Sequence, residues 1–567
     1  MKLEKKNKIM AIFITVAAFL VLGSIGFAFF SSTVSNSNNE KIQTQTATIS
    51  LKFDDNDNGI SGTLNLGESI VKKFTLQNTG TVDAYGKINW YNLVNTYTSD
   101  SLTWTLEQST SENGTYTSVG GGKVPTSSTA TTAVLKNGLL VPVNTTYYYK
   151  LTITLNNLDV NQNSDINASF YSYFSLEEGS LSGADTIQNL VAGEPTNTTN
   201  VITKNAPSGA NCTNTLAYDG TTDNNLRYVG ANPCNYVTFN GESPSIQEGW
   251  IIANSSTGVK GPDDIYETEA ACQTGYSGYG SPTGWECMEN NVATGGWRII
   301  GIMNNVDDGT GNLETRIKLV RNDALGNYSW DTSDSSVNGG DGVNDWTQAD
   351  LKNELNGDYL NTSLNANTNW YNGNNNAQSA TFDYTKRLNA GAQDLIGNAK
   401  WHLGGFTYGS NGEDMIAATM YTKEKGTEVW GSTSGQTCED AACPRATEWT
   451  GKVALIYPSD YGYATAGGQT TARSACIGTL STNYNTSGET WSNSSYSDCY
   501  SNDWIPYQWV LSPNSGSPYD AFFVGGVLVS SYFTYDAYYP VYPAVYLKSG
   551  VTISGGNGTE LEPFLIA

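Results

Sequence analysis

The chain has 567 residues and a formal net charge of −25, from 29 basic and 54 acidic residues. At about 100–200 residues per domain, this length predicts about two to four folded units. A nucleic-acid-binding protein needs a basic surface to displace counterions, so the acidic balance argues against that class. The single histidine, His402, excludes zinc sites built from several histidines and gives histidine-based catalysis one place at most.

The N-terminal segment indicates export. Four lysines within the first eight residues precede an uncharged, mostly apolar run over residues 9–30. A helix of this length spans about 33 Å, enough to cross a bilayer, and the basic flank predicts a cytoplasmic N-terminus. The small residues of Gly26-Phe27-Ala28 also suit a signal-peptidase site. Residues 1–30 are therefore predicted to be a signal peptide or a membrane anchor, and both alternatives stay open.

Residues 47–178 carry strand patterns, and residues 31–46 before them are interpreted as a polar spacer. Apolar and polar residues alternate in Ala47–Phe53, in Ile70–Leu76 and in Tyr147–Leu155, and turn sequences rich in Asn and Gly separate such segments. This pattern predicts an all-β domain, an antiparallel β-sandwich.

Two stretches of this region, Gly62–Ser69 and Phe74–Ala84, resemble the sandwich of camelysin-type and biofilm-matrix fibre proteins. The resemblance implies a β-sandwich that takes part in surface structures. Some members of that family are called metalloproteases. This sequence has no His-Glu-x-x-His motif, so protease activity is not expected here.

Residues 179–205 are rich in Gly, Ala, Thr and Asn and are interpreted as a linker, and residues 206–567 have a different character. Twelve of the fourteen tryptophans lie in this second region. Short strand patterns, such as Trp297–Ile302 and Ile317–Arg321, alternate with long polar loops, and Asp345–Leu355 has a helical pattern. The region is predicted to be an α+β domain linked by disulfides.

Several segments of this region occur in an order that is similar to a known domain: Gly296-Trp-Arg-Ile-Ile-Gly301, Asn344-Asp-Trp-Thr-Gln-Ala-Asp350, Trp509-Val-Leu-Ser-Pro513 and Tyr542-Pro-Ala-Val-Tyr-Leu547. They resemble an uncharacterised domain of gram-positive surface proteins and, through it, the C-type-lectin-like fold of formylglycine-generating enzymes. The matching motifs are structural, so the resemblance implies a fold rather than an activity.

All eight cysteines lie in the second region, and an even count in an exported chain predicts disulfides. A Cys-x-x-Cys spacing, which a zinc site would favour, does not occur. Pairing of sequence neighbours is the working hypothesis. It joins Cys212 to Cys234, Cys272 to Cys287, Cys438 to Cys443 and Cys476 to Cys499.

The C-terminal region contains an unusual density of aromatic residues: seven Tyr and three Phe lie within the 28 residues from Tyr519 to Tyr546. Tyrosine offers a large contact area at low entropic cost and carries a hydroxyl group, which suits recognition. Packing in a core is the alternative for the same residues, and it stays open. The predicted ligand-binding residues are Tyr519, Leu528, Tyr532, Phe533, Tyr535, Asp536, Tyr538, Tyr539 and Tyr542.

The stretch Val510–Leu547 contains no Trp, Gln, Met, Lys or Glu, although these five types make up about 14 % of the chain. Codons that end in a pyrimidine cannot encode them. Retroelement-diversified binding proteins use the lectin-like fold and mutate adenines in such codons. The resemblance therefore implies the hypothesis that residues 519–542 form a diversified binding surface.

A calcium site is a further hypothesis. Asp54, Asn56 and Asn58 lie at alternate positions before a glycine, as in the first half of a calcium-binding loop. The twelfth position is Asn65 rather than Glu, so a polar turn is the alternative.

These observations together predict an exported cell-surface recognition protein, adhesin-like, that is tethered through residues 9–30 or secreted. Its partner would be a glycan or a surface protein of another cell or host, and nucleic acid is not expected. The alternative is a structural component of an extracellular matrix or fibre. A secreted glycoside hydrolase, which needs only two suitably spaced carboxylates, is the third, and catalysis is otherwise not predicted.

Overall fold

The computed structural model describes residues 50–567 except 56–58, 63, 98–100, 159–160, 193, 195–200, 205–209, 211, 247–248, 255–265, 279–284, 291–292, 332–341, 364–368, 372–380, 384–385, 408–414, 427–444, 469, 480–498, 500–503, 526–527 and 537–538. The chain divides into two compact units, Met1–Leu181 and Ser182–Ala567. The predicted membrane or signal segment and the spacer at 31–46 lie outside the described residues. Within the described part, no helix is both long and apolar enough to cross a membrane.

The first unit is built from nine strands in the described part of the chain. They are β1 (Leu51–Asp54), β2 (Ile60–Gly62), β3 (Ser69–Asn78), β4 (Ala84–Asn95), β5 (Leu102–Ser109), β6 (Thr117–Lys123), β7 (Ser127–Val141), β8 (Thr146–Leu155) and β9 (Phe170–Glu178). A single 3₁₀ turn, Asn163–Asp165, is described beside them.

These strands form two antiparallel sheets, in the orders β1-β3-β8-β5-β6 and β2-β9-β4-β7. Side chains of both sheets share one core, because alternate residues of a strand point to the same face. Phe74 stacks on Tyr149 of the same sheet at 5.1 Å, and Trp90 of the other sheet lies 5.4 Å from Phe174. The prediction of an all-β sandwich is confirmed, and its central strand patterns fall in β3 and β8.

The second unit contains twenty-one strands among its described residues. They are β10 (Ile202–Lys204), β11 (Asn214–Tyr218), β12 (Leu226–Tyr228), β13 (Tyr236–Thr238), β14 (Ser245–Ile246), β15 (Gly249–Asn254), β16 (Trp285–Asn290), β17 (Ala293–Thr294), β18 (Trp297–Asp307), β19 (Leu313–Arg321), β20 (Asn369–Tyr371), β21 (Thr381–Asp383), β22 (Ala399–His402), β23 (Glu448–Gly451), β24 (Val453–Ala454), β25 (Gln508–Pro513), β26 (Asp520–Gly525), β27 (Leu528–Phe533), β28 (Ala544–Tyr546), β29 (Ile553–Gly555) and β30 (Phe564–Ile566).

The helices described in this unit are short. They are α1 (Gly183–Asn189), α2 (Glu269–Gly278), α3 (Asp350–Asn356), α4 (Ala390–Leu395), α5 (Ala417–Glu424), α6 (Pro458–Tyr463) and α7 (Arg473–Ile477), with a 3₁₀ turn at Asp358–Leu360. The unit is therefore dominated by strands and by loops that connect them.

A large sheet runs in the order β10-β11-β12-β18-β13-β30-β29, and it continues from β18 through β19 and β28 to β24. All its pairings are antiparallel except that of β13 with β30. A smaller sheet has the order β25-β26-β27, and β22 pairs with β23 as a separate ribbon. Five fully buried tryptophans lie in the core of this unit: Trp297, Trp330, Trp346, Trp401 and Trp509.

Two predictions in this unit need correction. Residues 179–205 are not a simple linker, because α1 begins at Gly183 and packs Ala184 and Ile187 into the core of the second unit. Ser182 caps this helix by accepting a hydrogen bond from the Asp185 backbone at 3.1 Å. The predicted helix over Asp345–Leu355 is also too long. Asp345 folds as a turn that accepts from the Thr347 backbone, and α3 begins five residues later.

Three of the predicted disulfides are present: Cys212–Cys234, Cys272–Cys287 and Cys476–Cys499. Cys438 and Cys443 lie outside the described residues, so their pairing stays a prediction. Disulfides persist in oxidising surroundings, and their presence therefore indicates an extracellular type of compartment.

Candidate functional site

An exposed group of aromatic side chains lies on and beside the sheet β25-β26-β27. We call this group the aromatic patch; it consists of Tyr507, Tyr519, Tyr532, Phe533 and Tyr535. Tyr532 is 41 % exposed, Phe533 is 37 % exposed and Tyr507 is 40 % exposed. The other two members are half-buried. Large apolar side chains exposed side by side on a folded surface commonly mark a contact site.

The rings of the aromatic patch contact one another in sequence. Phe533 lies 5.7 Å from Tyr519, 5.5 Å from Tyr535 and 5.4 Å from Tyr532, measured between ring centroids. Tyr532 and Tyr507 both approach the ring of Tyr539, at 5.8 and 5.4 Å. The rings therefore form two groups that meet at the end of β27: Phe533 with Tyr519 and Tyr535, and Tyr532 with Tyr507 through the buried ring of Tyr539.

The strand register explains why these rings are exposed. Ala521 pairs with Tyr532, and Asp520 pairs with Phe533, across β26 and β27. Consecutive residues of a strand point to opposite faces of a sheet. Since Tyr532 and Phe533 are both exposed, neither face is covered at the end of β27.

Buried neighbours hold the patch in place. The Trp509 indole donates a hydrogen bond to the Tyr328 carbonyl at 2.9 Å, which fixes β25. The buried Asn344 amide donates to the carbonyl of Ser517 at 2.7 Å and so anchors the loop before Tyr519. Gly525 adopts a φ of +143°, and a Cβ there would lie 2.4 Å from the Cα of Tyr507. Glycine at this position therefore allows the backbone before β25 to approach β26 closely.

The structure separates the predicted binding residues into three groups. Tyr519, Tyr532, Phe533 and Tyr535 belong to the patch, and Asp536 is half-buried in the turn that follows it. Two others are wrong as contact residues: Tyr539 is 6 % exposed, Tyr542 is 9 % exposed, and both belong to the core. Tyr538 and the side chain of Leu528 lie outside the described residues.

Tyr539 is buried because aromatic rings surround it. Its ring stacks on Phe523 at 4.2 Å and meets Trp509 at 4.5 Å. Burial raises the pKa of its hydroxyl above the usual value for tyrosine. Tyr507, by contrast, precedes the aromatic-rich stretch of the sequence, and only the fold brings it to the patch. The sequence feature that could have indicated Tyr507 is an aromatic residue in a polar segment that contains a proline.

The predicted calcium loop gives no site in the described part of the chain. Asn56 and Asn58 lie outside it, and Asp54 is an exposed residue at the end of β1. Among the described residues, no group of three or more His, Cys, Asp or Glu side chains is placed to hold a metal ion. Calcium binding therefore stays a hypothesis.

A second candidate is a polar cleft between β18, β19, β22, α5 and α6. It is partly open to solvent, and its walls include Asp223, Lys318, His402, Glu424 and Asp460. At its mouth, Asp223 accepts hydrogen bonds from Tyr421 and Lys425. Charges of both signs line the cleft, so it has no bias towards a cation or an anion.

His402 is half-buried in the wall of this cleft. Burial and then the nearby Lys425 lower the pKa of its imidazole, so His402 is neutral at pH 7. Its Nδ1 atom lies 3.9 Å from the Glu448 carboxylate, which is too far for a hydrogen bond. In the described part of the chain, His402 and Glu448 therefore do not form a hydrogen-bonded acid–base pair.

Two buried carboxylic acids lie deeper in the cleft and differ in protonation. Burial raises the pKa of Glu424 to about 7. Burial would also raise the pKa of Asp460, but Lys318 and Arg227 lower it below the usual value. One protonated and one ionised carboxyl group suit a glycoside hydrolase in principle. Both residues are only 2 % exposed and bind protein groups, so a sugar ring cannot reach them.

Comparisons with known proteins do not identify a family for this chain. No family model matches the chain, and no curated protein matches it. Six chains of solved structures match. One belongs to the structure "AvmM Catalyzes Macrocyclization in Alchivemycin A Biosynthesis", with 8 % identity, a TM-score of 0.13, and coverage of 22 % of this chain and 76 % of that chain. A TM-score this low supports no conclusion about fold or function.

Proposed function

We propose that this protein is an exported recognition protein whose second unit binds a glycan or a surface protein through the aromatic patch. The observation that carries the proposal is the cluster of exposed and half-buried rings at the end of β27: Tyr507, Tyr519, Tyr532, Phe533 and Tyr535. Aromatic rings dominate the binding energy of many interfaces, and tyrosine hydroxyls add hydrogen bonds at their edges. A shallow surface of this kind suits a sugar ring or a flat protein epitope.

The proposed sequence diversification concerns residues 519–542, which lie within the proposed lectin-like domain at 206–567. Within it, Phe522 and Val524 are buried, whereas Tyr532 and Phe533 are exposed. Substitution of the exposed residues would leave the core unchanged, which is what a diversified surface requires. Reading the gene tests this part: a nearby near-copy of the segment that differs chiefly at adenines supports it. A gene without such a copy refutes it.

The proposal also includes a location of the protein at the cell surface. Disulfides indicate an oxidising compartment, and the apolar run at 9–30 would supply either the export signal or the tether. Fractionation of producing cells separates the two outcomes. Chain in the membrane pellet supports the tether, and chain in the medium that begins after Ala28 supports cleavage.

The binding proposal is tested with the full chain on arrays of glycans and on bacterial and mucosal surfaces. The test variant replaces Tyr507, Tyr532 and Phe533 by Ala. The matched control replaces the exposed tyrosines of the first unit, Tyr91, Tyr171 and Tyr173, which are 47 %, 39 % and 49 % exposed. An arm with chelator tests the calcium hypothesis.

We expect saturable binding that the patch variant loses and the control variant keeps. Removal of three aromatic anchors of about 1–2 kcal/mol each lowers affinity by at least tenfold. Equal loss in both variants, or full binding by the patch variant, would refute the proposed site. A wild-type chain that binds none of these surfaces would refute the recognition function.

One observation favours the alternative, a structural role in a matrix. Tyr91 and Tyr173 are directly paired across β4 and β9, and Tyr171 lies on the same face because it is two residues away. All three are exposed on the first unit. If this face joins copies of the chain, light scattering will show assembly that rises with concentration, and the Tyr91/Tyr171/Tyr173 variant will remain monomeric.

A further inference from the structure

The polar cleft contains a lysine and an aspartate that form a buried ion pair. The Nζ atom of Lys318 lies 2.5 Å from the Oδ2 atom of Asp460, and the two side chains are 1 % and 2 % exposed. Lys318 lies in β19, and Asp460 lies in the first turn of α6, 142 residues later in the chain. The pair therefore joins the large sheet to a distant helix.

Three aromatic rings lie close to the buried amine of the lysine. Its Nζ atom lies 4.4 Å from the ring centre of Tyr457, and 5.4 Å from the ring centres of Trp401 and Tyr546. Taking an ammonium and a carboxylate out of water is costly, and their attraction only partly offsets that cost. A neutral product of the two groups is therefore favoured here far more than it is in water.

The second oxygen of Asp460 is held by a guanidinium group. Arg227 Nη1 donates to Asp460 Oδ1 at 2.6 Å, and Arg227 Nε donates to Asp219 at 2.8 Å. An N–H group at this oxygen stabilises the negative charge that develops there when a nucleophile attacks the carboxyl carbon. The oxygen that faces Lys318, Oδ2, also accepts a hydrogen bond from the Tyr457 backbone at 2.9 Å, and it is the oxygen that departs in the reaction proposed below.

A proton carrier lies in the same cluster. Glu424 is 2 % exposed, and Ser459, the residue next to Asp460, holds both of its oxygens at 2.9 and 2.5 Å. Burial raises the pKa of Glu424 to about 7, so it exchanges a proton near neutral pH. Burial also lowers the pKa of Lys318, which favours the neutral, nucleophilic amine.

We propose that Lys318 and Asp460 become joined by an isopeptide bond. The Nζ atom attacks Cγ of Asp460, a C–N bond forms, and the C–Oδ2 bond breaks. The ammonium loses two protons, and both leave with Oδ2 as one water molecule, so no oxidant or other reactant is needed. Glu424 takes a proton from the amine and delivers one to the departing oxygen, and it ends in its starting state.

The charges of the cluster remain balanced after this reaction. The bond removes one positive and one negative charge, and Arg227 keeps its ion pair with Asp219. Two other lysine–aspartate pairs among the described residues lack this arrangement. Lys72 lies 3.4 Å from the Asp55 carboxylate and donates instead to the Asp55 main-chain carbonyl, and Lys400 pairs with Asp307 where its side chain is 30 % exposed.

Mass spectrometry of the full chain tests the proposal. After reduction of the disulfides, the wild-type mass is expected to be lower than the sequence mass by one water molecule, and digestion is expected to yield a branched peptide that contains Lys318 and Asp460. A wild-type chain with the full sequence mass and two separate peptides would overturn the proposal. This outcome does not depend on how any variant folds.

Variants then assign the roles. Lys318→Arg keeps the positive charge and is expected to restore the full mass, whereas the control Lys400→Arg is expected to keep the loss of water. Glu424→Gln is expected to slow the appearance of the cross-link in a time course after synthesis at least tenfold. A cross-link that persists in Lys318→Arg would refute the assigned lysine. Unchanged kinetics in Glu424→Gln would refute the assigned proton carrier.

Discussion

The two neighbouring tyrosines Tyr532 and Tyr539 are expected to respond in opposite ways to replacement by Ala. Tyr539 is 6 % exposed, and its ring contacts Phe523, Trp509 and Tyr507 at 4.2, 4.5 and 5.4 Å. Removing a large aromatic side chain from a core costs about 3–5 kcal/mol, because transfer free energy is lost and a cavity remains. Tyr539→Ala is therefore expected to destabilise the second unit by about 4 kcal/mol.

Tyr532 is 41 % exposed, so its replacement by Ala removes less buried area than the replacement of Tyr539. Surface substitutions usually change the free energy of unfolding by about 0.5 kcal/mol or less. Tyr532→Ala is therefore expected to leave stability almost unchanged and to weaken ligand binding. Tyr539→Phe is the matched control for the core position: it keeps the ring and loses the hydroxyl group, at a cost of about 1 kcal/mol.

Urea titration of the full chain, followed by tryptophan fluorescence, measures these differences as shifts of the second unit's transition. Binding is measured for each variant without urea, at a temperature at which all of them are folded. Equal destabilisation by Tyr532→Ala and Tyr539→Ala would refute the division between patch and core. So would a Tyr539→Ala chain with the wild-type midpoint.

Three further predictions concern stability. Reducing agent is expected to lower the melting temperature of the second unit and to leave that of the first unit unchanged, because the first unit has no cysteine. The disulfide Cys272–Cys287, which spans 15 residues, contributes about 3 kcal/mol to the stability of the second unit. Calorimetry with and without reductant measures both transitions. Glu424 has a pKa of about 7 in the folded chain, above its value in the unfolded chain. Its contribution to the free energy of unfolding is therefore fully present below about pH 4.5 and is lost as the pH rises to about 7, by up to ~3 kcal/mol. Urea midpoints measured from pH 5 to 8 should fall more in the wild type than in Glu424→Gln, and equal slopes in the two chains would contradict this. Arg227→Ala leaves Asp219 and Asp460 without their buried guanidinium partner and should cost about 3–5 kcal/mol, whereas Lys87→Ala, which breaks an exposed pair with Glu177, should cost under ~1 kcal/mol in the same denaturation assay.

Local sequence patterns were enough to predict strands and disulfides in this chain. Alternation in Ile70–Leu76 and Tyr147–Leu155 is enough to predict strands, because one face of each must be buried. Nearest-neighbour pairing found the disulfides Cys212–Cys234, Cys272–Cys287 and Cys476–Cys499. The first two bonds join neighbours that meet across one hairpin and across one helix–strand contact. The prediction of a simple linker at 179–205 was wrong, because α1 is stabilised by the core that it packs against rather than by its own sequence.

Which tyrosines reach solvent was decided only by the tertiary structure. Tyr532 and Tyr539 lie in one aromatic run, and nothing local distinguishes them; the rings of Phe523 and Trp509 cover the second and not the first. The Lys318–Asp460 pair depends on the tertiary structure even more clearly, because the two residues are 142 residues apart in the sequence. Alternation of polar and apolar residues is local, so the sequence alone predicts strands from it, whereas a site assembled from distant residues exists only after the chain has folded.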